Sequence, residues 1–380
     1  MNRIKKTIFA VFALLMAMAA NADVEINETT FPDKNFRNWV LSLSYGQDGV
    51  LTEEEIAGIT SIDMMYKGIQ NLTGIEFFTS LTYLNCYENK LTMLDVSNNT
   101  KLETLYCGGN SLTELDISKC TELTDLECER NLLTLLDVSQ NIALTKLVCA
   151  DNPLTKIDIS NNTKLLTLSC QGNQLKAIDV TKNTALENLY CKDNQLTELD
   201  VSKNKELKRL ICSNNQLTKL ELKNLVKLES LKCFQNSLER IIVSDCPELW
   251  EIDCFNNHIK GEAIDELITG LSVIPEGWGH LCIVSTEDEQ NVMTKAQVAA
   301  AKAKGWRPRY KYGTFGEYGY PDYEGIDDPT NIGATLNDKG QMTKDGWYDL
   351  QGRKINSSFF TLHSSLKRGI YIENGKKKVK

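Results

Sequence analysis

The chain has 380 residues, of which 42% are hydrophobic and 24% charged, and its formal net charge is −9. This length fits two ordinary domains or one extended repeat array. The composition excludes a chain that is disordered or membrane-embedded as a whole, and the acidic charge argues against nucleic acid or an anionic membrane surface as a partner.

The N-terminus has the pattern of a signal peptide. Three basic residues precede an apolar run from Ile8 to Ala20, and the run ends in Ala20-Asn21-Ala22. This is an A-x-A cleavage pattern, and the run is too short to span a membrane. We therefore predict a signal peptide over residues 1–22 and a secreted or cell-surface protein. Removing it takes away three positive charges and no negative one, which moves the net charge from −9 to −12.

A 21-residue repeat dominates the rest of the chain. Nine cysteines recur at this interval, and an asparagine follows each of them three positions later. The cysteines are Cys86, Cys107, Cys128, Cys149, Cys170, Cys191, Cys212, Cys233 and Cys254. A divergent first unit begins at Ile59 and a partial last unit at Leu249, so we predict a repeat array over residues 59–260.

The full unit, quoted from Leu81, reads L-T-Y-L-N-C-Y-E-N-K-L-T-M-L-D-V-S-N-N-T-K. It resembles the short class of leucine-rich repeat, and the chain is similar to internalin-like secreted bacterial proteins. The resemblance implies a leucine-rich-repeat solenoid, in which strands of successive coils stack as parallel sheets. It also implies that the asparagines hydrogen-bond backbone groups of adjacent coils, where a tight coil would otherwise bury unpaired polar groups.

The spacing within one unit predicts which side chains face the core. Leu84 and Cys86 lie two apart, so both point into the coil while their neighbours point outward. The second half of the unit, Leu94 to Val96, repeats the alternation on the other side. Ten rungs at ~4.8 Å would form a stack on the order of 45–50 Å long. One rung cannot bury its leucines alone, so the array must fold as a stack.

Three interpretations of the cysteines stay open at this stage: buried free thiols, scattered disulfides, or metal sites. Neighbouring cysteines of the repeat lie in register with parallel Cβ vectors, a poor geometry for a disulfide. Cys120 and Cys246 share another column six rungs apart, about 29 Å, which is too far for a bond. A buried cysteine behaves as a small hydrophobic residue, and no Cys-x-x-Cys with histidine spacing indicates zinc.

A column of carboxylates also follows the repeat. It contains Asp95, Asp116, Asp137, Asp158, Asp179 and Asp200, continues as Glu221, and is broken at Ile242. Stacked carboxylates about 5 Å apart repel each other unless they are hydrogen-bonded or solvated. Nearby turn hydroxyls such as Ser97 would hold them; a row of weak divalent-cation sites is the alternative.

Residues 23–58 are predicted to cap the first rung, with a helix around Lys34–Leu43. The stretch from Ser44 to Glu55 resembles a degraded EF-hand loop, in which Asp48 and Glu55 are weak metal candidates. Two expected carboxylates are missing, because Ser44 and Gly46 occupy their positions. The alternative is a turn that leads into a helix N-terminus.

The period stops after Asn257, and three further segments follow. Residues 261–311 are predicted to form a β/α cap, with helices at 262–271 and 294–304 and strands at 280–285 and 306–310. Residues 312–332 are predicted to be a glycine- and tyrosine-rich linker. Residues 333–380 are predicted to form a small all-β tail with an Asn374-Gly375 hairpin turn.

This tail resembles the C-terminal sorting domain of type IX secretion cargo. The match is the Gly369-Ile-Tyr core followed by the basic strand Lys376–Lys380. The resemblance implies association with the outer membrane or cell surface. A plain β-hairpin accessory module is the alternative.

The sequence shows no motif for catalysis. Its three histidines are scattered, no cofactor or metalloprotease motif occurs, and buried thiols are inert. The paired acids Glu251 and Asp253 are predicted to point outward from one strand, as many surface acids do. We therefore predict a protein that is not an enzyme and that needs no cofactor.

The variable outward columns beside the repeat cysteines are the predicted binding face. Exposed aromatic residues are frequent interface anchors, and an acidic patch of Asp125, Glu127 and Glu129 would suit a basic partner. The candidate ligand-binding residues are Tyr83, Tyr87, Tyr106, Glu127, Glu129, Tyr190, Phe234 and Phe255. The predicted function is adhesin-like binding of a protein or glycan. The alternatives are chance variation on a solvent face and a structural spacer, or self-associating surface component, without a specific ligand.

Overall fold

The computed structural model describes residues 23–275, 277–285, 289–311 and 320–327, and the backbone of four later strands. The predicted signal peptide and much of the predicted linker and tail lie outside the described residues. The chain divides into two units. The first runs to Met293 and includes Gln297–Glu324; the second comprises Thr294–Ala296 and Gly325–Lys380.

The N-terminal segment begins with β1 (Val24–Glu25) and α1 (Lys34–Ser42), followed by β2 (Val50–Leu51), antiparallel to β1, and α2 (Glu53–Gly58). Asp33 caps α1, because its Oδ1 accepts from the backbone N–H groups of Asn35 and Phe36. Its Oδ2 accepts from the N–H groups of Gln70 and Asn71 in the first coil. One carboxylate therefore both starts the helix and attaches it to the repeats.

The two weak calcium candidates are engaged in local hydrogen bonds. Thr52 and Glu55 form a capping box, in which Glu55 Oε2 lies 2.8 Å from the Thr52 backbone nitrogen. Asp48 Oδ1 accepts from the N–H of Val50 at 3.1 Å. These bonds support the interpretation of a turn leading into a helix N-terminus.

A twelve-stranded parallel sheet forms the centre of the first unit. Ten of its strands come from the repeats, each with three residues. They are β3 (Ser61–Asp63), β4 (Tyr83–Asn85), β5 (Thr104–Tyr106), β6 (Asp125–Glu127), β7 (Lys146–Val148), β8 (Thr167–Ser169), β9 (Asn188–Tyr190), β10 (Arg209–Ile211), β12 (Ser230–Lys232) and β14 (Glu251–Asp253). Equivalent residues pair across every interface of these strands, so the repeat columns run straight across the sheet.

The core has the predicted alternation. The middle residue of each repeat strand, such as Leu84, Leu105 or Leu126, is fully or almost fully buried, and the residues beside it are mostly half-buried. Each repeat cysteine lies just after its strand and is buried as well. All twelve cysteines of the chain are buried and free. This supports the free-thiol interpretation over scattered disulfides.

The first asparagine column connects successive coils, as the family resemblance implies. Asn131 is representative: its Nδ2 donates to the carbonyls of Cys107, one coil earlier, and of Cys128, in its own coil. Its Oδ1 accepts from the N–H of Leu112. The same pattern recurs through Asn257. Each side chain therefore satisfies backbone groups that the coil would otherwise bury unpaired.

A second asparagine column, which the sequence analysis missed, is fully buried on the other side of the coil. Its members are Asn99, Asn141, Asn162, Asn183 and Asn204. Asn162 Nδ2, for example, donates to the carbonyls of Val138 and Asn141 at 3.0 and 2.9 Å. Cys120 occupies this column, and its Sγ lies 3.6 and 3.7 Å from the carbonyl oxygens of Val96 and Asn99. The cysteine is therefore a weak substitute donor.

The predicted second strand of each repeat forms, among the described residues, in only two repeats. These strands are β11 (Lys219–Lys223) and β13 (Arg240–Ser244), which pair with each other. Earlier repeats have an aspartate turn instead, as where Asp158 Oδ1 accepts from the N–H of Ser160. Such local bonds compete with strand pairing. In β11 and β13, Glu221 and Ile242 replace the aspartate, and the strands form.

After the repeats come α3 (Glu262–Gly270), β15 (Gly279–Ser285), α4 (Lys295–Ala303) and β16 (Trp306–Lys311). These elements coincide closely with the predicted helices and strands. Both strands continue the main sheet. Asn291 continues the first asparagine column: its Nδ2 donates to the carbonyl of Cys254 at 2.8 Å, and its Oδ1 accepts from Ile259.

The described part of the tail is a four-stranded antiparallel sheet of β17 (Trp347–Tyr348), β18 (Lys354–Ile355), β19 (Ile370–Glu373) and β20 (Lys376–Val379). Glu373 pairs with Lys376, which leaves two residues between the strands, as predicted for the Asn374-Gly375 hairpin. The interpretation of this tail as a sorting domain stays a prediction.

The second asparagine column gives a test of its hydrogen bonds. We expect Asn162→Ala to lower the free energy of unfolding by about 1–3 kcal/mol, because two buried carbonyls lose their donor. Asn162→Cys, which copies Cys120, should lose less. Urea denaturation measures both, with the exposed Lys164→Ala as a control. Equal losses for the alanine and cysteine variants would contradict a donor role for this column.

The buried cysteines predict a difference in reactivity. Burial raises the pKa of the Cys86 and Cys170 thiols to about 12, and only the thiolate reacts rapidly. We expect the unreduced protein to react with a thiol reagent at all twelve cysteines when denatured and at almost none when folded. A colorimetric thiol assay counts them. A count near zero in the denatured, unreduced protein would show that the column is disulfide-bonded.

Candidate binding face

The outer face of the main sheet presents two variable columns of side chains, one before and one after the repeat cysteine. The in-register strands hold these columns in straight rows, and most members are half-buried by their neighbours. Of the eight predicted ligand-binding residues, five lie on β4 to β6 or just after these strands. Tyr190 lies on β9, and Phe234 and Phe255 follow β12 and β14.

The first five form one group, which we call the tyrosine–glutamate cluster: Tyr83, Tyr87, Tyr106, Glu127 and Glu129. The rings of Tyr83 and Tyr106 meet edge to face, with centroids 5.7 Å apart. Gly108 lies beneath Tyr87 and Glu129. A Cβ at this glycine would lie 2.6 Å from Tyr87 Cε2 and 2.9 Å from Glu129 Cδ. The absence of a side chain there lets these two residues approach each other.

The charges of this cluster are partly compensated. Lys146 on the next strand forms an ion pair with Glu127, and Arg130 pairs with Glu88 nearby. Burial raises the pKa of Glu129, and desolvation likewise raises the pKa of Tyr87. The ion pair with Lys146 therefore offsets part of the negative charge of the predicted acidic patch.

The remaining three candidates do not join this cluster. Tyr190 is half-buried between Ser169 and Ile211 of the neighbouring strands. Phe234 and Phe255 stack on each other, with centroids 4.6 Å apart and planes 6° apart. The expectation that Phe255 is exposed was wrong: it is only 3% exposed. β16 extends the sheet past this ring, and Lys311 Nζ lies 5.1 Å from its centroid.

A second polar group, which we call the C-terminal polar cluster, was missed. It consists of Lys232, Glu251, Asp253, His280 and Cys282. The expectation that Asp253 is an ordinary surface acid was wrong, because β15 covers it and leaves it 3% exposed. Lys232 Nζ lies 3.1 Å from Glu251 Oε1 and 3.4 Å from Asp253 Oδ2. The alternation of His280 and Cys282 was visible in the sequence, but their partner strand was not.

The aspartate column behaves as a series of turns. Asp116, Asp137, Asp158 and Asp200 accept the backbone N–H of the serine two residues later, and Asp179 accepts that of Thr181. Hydrogen bonds from these residues lower the pKa of the carboxyl groups. The contacts support the turn interpretation over the alternative of a row of cation sites.

Comparison with known proteins gives matches both in sequence and among solved structures. No family model matches the chain. Internalin J of Listeria monocytogenes is 45% identical over 71 residues, which cover 18% of this chain and 8% of that protein. The solved functional domain of InlJ, described as including a cysteine ladder, is 38% identical with a TM-score of 0.62. That match covers 72% of this chain and 61% of the domain, so the chain spans less than two thirds of it.

An internalin (InlF) from the same species shares the fold, with a TM-score of 0.53 and 22% identity over 78% of this chain and 99% of that one. The chain is thus a leucine-rich-repeat solenoid with a stacked parallel sheet. Within this class it is similar in sequence to the functional domain of InlJ. No enzyme family is evident among the matches. Within the described ranges, no helix has the length and apolar character needed to cross a bilayer.

The aspartate column predicts a dependence of stability on pH. Its carboxyl pKa values are lower in the folded chain than the value near 3.9 expected when unfolded. The stabilisation is therefore present above about pH 4 and is lost as the pH falls through the lower, folded pKa. We expect a variant with asparagine at positions 116, 137, 158, 179 and 200 to keep the turns but to lose stability less steeply below about pH 4.

Thermal unfolding between pH 3 and 7 measures this slope for both proteins. Far-UV circular dichroism at pH 7 controls for an unchanged fold. Parallel curves for the variant and the natural chain would contradict the assignment.

Proposed function

We propose that this chain is a secreted or surface-displayed protein that binds a protein or glycan ligand through the outer face of its sheet. The tyrosine–glutamate cluster is the observation that carries the proposal. Three tyrosines and two glutamates converge there, while the buried columns behind them stay nearly constant from repeat to repeat. A constant scaffold with variable surface residues is the arrangement that binding solenoids use.

The chemistry of the cluster suits recognition. Tyrosine combines a large apolar ring with a hydroxyl that can donate or accept, which makes it a frequent interface anchor. Tyr83 and Tyr106 are each half-buried, so their rings are held in place before any ligand arrives. A prepositioned side chain loses little conformational entropy on binding. Glu127 and Glu129 add acceptors for basic side chains or hydroxyl groups.

Catalysis is less well supported. Cys282, His280 and Asp253 lie together, an arrangement that a cysteine nucleophile would use. The Cys282 side chain is fully buried, however, and desolvation raises its pKa, so the thiol stays protonated. A nucleophile requires an accessible thiolate. The proposal of a binding protein therefore stands.

Secretion and surface display rest on the sequence at the two ends. The predicted signal peptide would direct export, and the predicted type IX-like tail would retain the protein at the outer membrane or cell surface. The similarity to internalin J and InlF supports a comparable binding role. A structural spacer, or a self-associating surface component, is the rival hypothesis.

The test is ligand capture with the full chain on arrays of extracellular proteins and glycans. We expect a ligand whose affinity falls about 30-fold or more in the double variant Tyr87→Ala/Tyr106→Ala, because central aromatic anchors contribute about 2 kcal/mol or more. Tyr190→Ala is the matched control, since Tyr190 holds the same repeat position as Tyr106 four rungs away. This control should bind normally.

Other outcomes would separate the alternatives. Equal loss in the double variant and in the control would place the ligand along the whole sheet. A ligand unaffected by both would contradict binding through this face. If the chain binds only other copies of itself, and its mass in sedimentation rises with concentration, the structural rival would be favoured.

A further inference from the structure

One cysteine departs from the repeat columns. Nine of the twelve lie in the repeat column, and Cys120 and Cys246 replace asparagines of the second column. Cys282 lies instead on β15, where it pairs with Asp253 and not with Cys254. His280 pairs with Glu251 on the same two strands. Because residues two apart on a strand share a face, His280 and Cys282 lie on the same side as Asp253.

The three side chains bring together different donor atoms. His280 Nε2 lies 2.9 Å from Asp253 Oδ1. Together with Cys282 Sγ, one donor atom from each residue lies within 4.8 Å of the others. Asp253 and Cys282 are 3% and 0% exposed, and the His280 side chain is 15% exposed. The group is therefore shielded from solvent except on the histidine side.

We propose that Asp253, His280 and Cys282 bind a transition-metal ion of the Zn²⁺ class. Carboxylate, imidazole and thiolate are the donors that Zn²⁺ takes, at about 2.0–2.3 Å. A tetrahedral ion with such bonds holds its donors about 3.5 Å apart, so small side-chain rotations bring this group around one ion. The ion would keep the thiol deprotonated and would compensate the charge of the buried carboxylate.

Neighbouring residues orient the proposed ligands. Lys232 Nζ faces Asp253 Oδ2, which leaves Oδ1 directed at His280. The ring of Tyr320 packs edge-on against His280, with centroids 5.0 Å apart. Such contacts fix the geometry of metal ligands in known sites. Three protein donors leave one tetrahedral position for water or for a donor atom of a ligand.

The competing interpretation is a structural His280–Asp253 hydrogen bond with a buried thiol beside it. The metal site and the structural hydrogen bond predict different absorption spectra when Co²⁺, which absorbs visible light, is added. Titration of the full chain with Co²⁺ under anaerobic conditions should saturate at one ion per chain. It should show the charge-transfer absorption of a cobalt–thiolate bond, which Zn²⁺ then removes by displacement.

Variants connect this signal to the three residues. We expect Cys282→Ser to abolish the thiolate band. Asp253→Asn should weaken Co²⁺ binding by at least about 10-fold, because loss of a residue that only supports a metal ligand already lowers metal affinity by about that factor. Cys120→Asn is the matched control: it removes a buried cysteine, restores the residue that most repeats have there, and should bind normally. Zn²⁺ should also raise the melting temperature of the natural chain and the control, but not of Cys282→Ser.

Two results would overturn the proposal. The first is a natural chain that is folded, by circular dichroism, and shows no thiolate band with Co²⁺. The second is a band of equal intensity in Cys282→Ser, which would place the metal at another cysteine. Both results are independent of whether the tyrosine–glutamate cluster binds a ligand.

Discussion

The asparagine side chains that join one coil to the next are the contacts on which the structure depends. A 21-residue coil turns too tightly for its own backbone to pair all its polar groups. Asn131 and its equivalents donate to backbone carbonyls of two successive coils. They also accept a backbone N–H, which for Asn131 is that of Leu112. An amide can do this only if neighbouring coils are in register. The need to satisfy buried backbone groups therefore fixes the stacking.

Register in turn determines what the outer face can be. Equivalent residues pair across each strand interface, so a side chain meets its counterparts in the previous and next repeats. The side-chain contacts of the outer face consequently form between residues of neighbouring repeats. Tyr83 meets Tyr106, and Glu127 meets Lys146. Substitution in one repeat changes a contact without disturbing the buried columns, which lets the face vary while the fold stays constant.

How much of the structure could be predicted from the sequence differs in the same way between the buried columns and the outer face. Period and alternation sufficed for the buried cysteines, and the resemblance to leucine-rich repeats implied the parallel stack and the role of the first asparagine column. The second column was overlooked because its role depends on carbonyls one coil away, such as those bonded by Asn162. The tyrosine–glutamate side chains were named from the sequence, but the approach of Tyr87 to Glu129 over Gly108 required coordinates. Phe255 is buried where β15 and β16 extend the sheet beyond β14, and no repeat spacing locates those strands.

At the end of the repeat array, the sequence no longer predicts which residues pair between neighbouring strands. Between β14 and β15 the chain inserts a helix, so Cys282 follows Cys254 by 28 residues where the repeat would give 21. Strand pairing then sets Cys282 opposite Asp253, while Asn291 still reaches the carbonyl of Cys254. The backbone thus keeps its asparagine bridge while the side-chain pattern changes. Inside the array, identical coils bury identical residues; at its end, unlike residues from β14 and β15 meet and form a group of carboxylate, imidazole and thiol that no repeat contains.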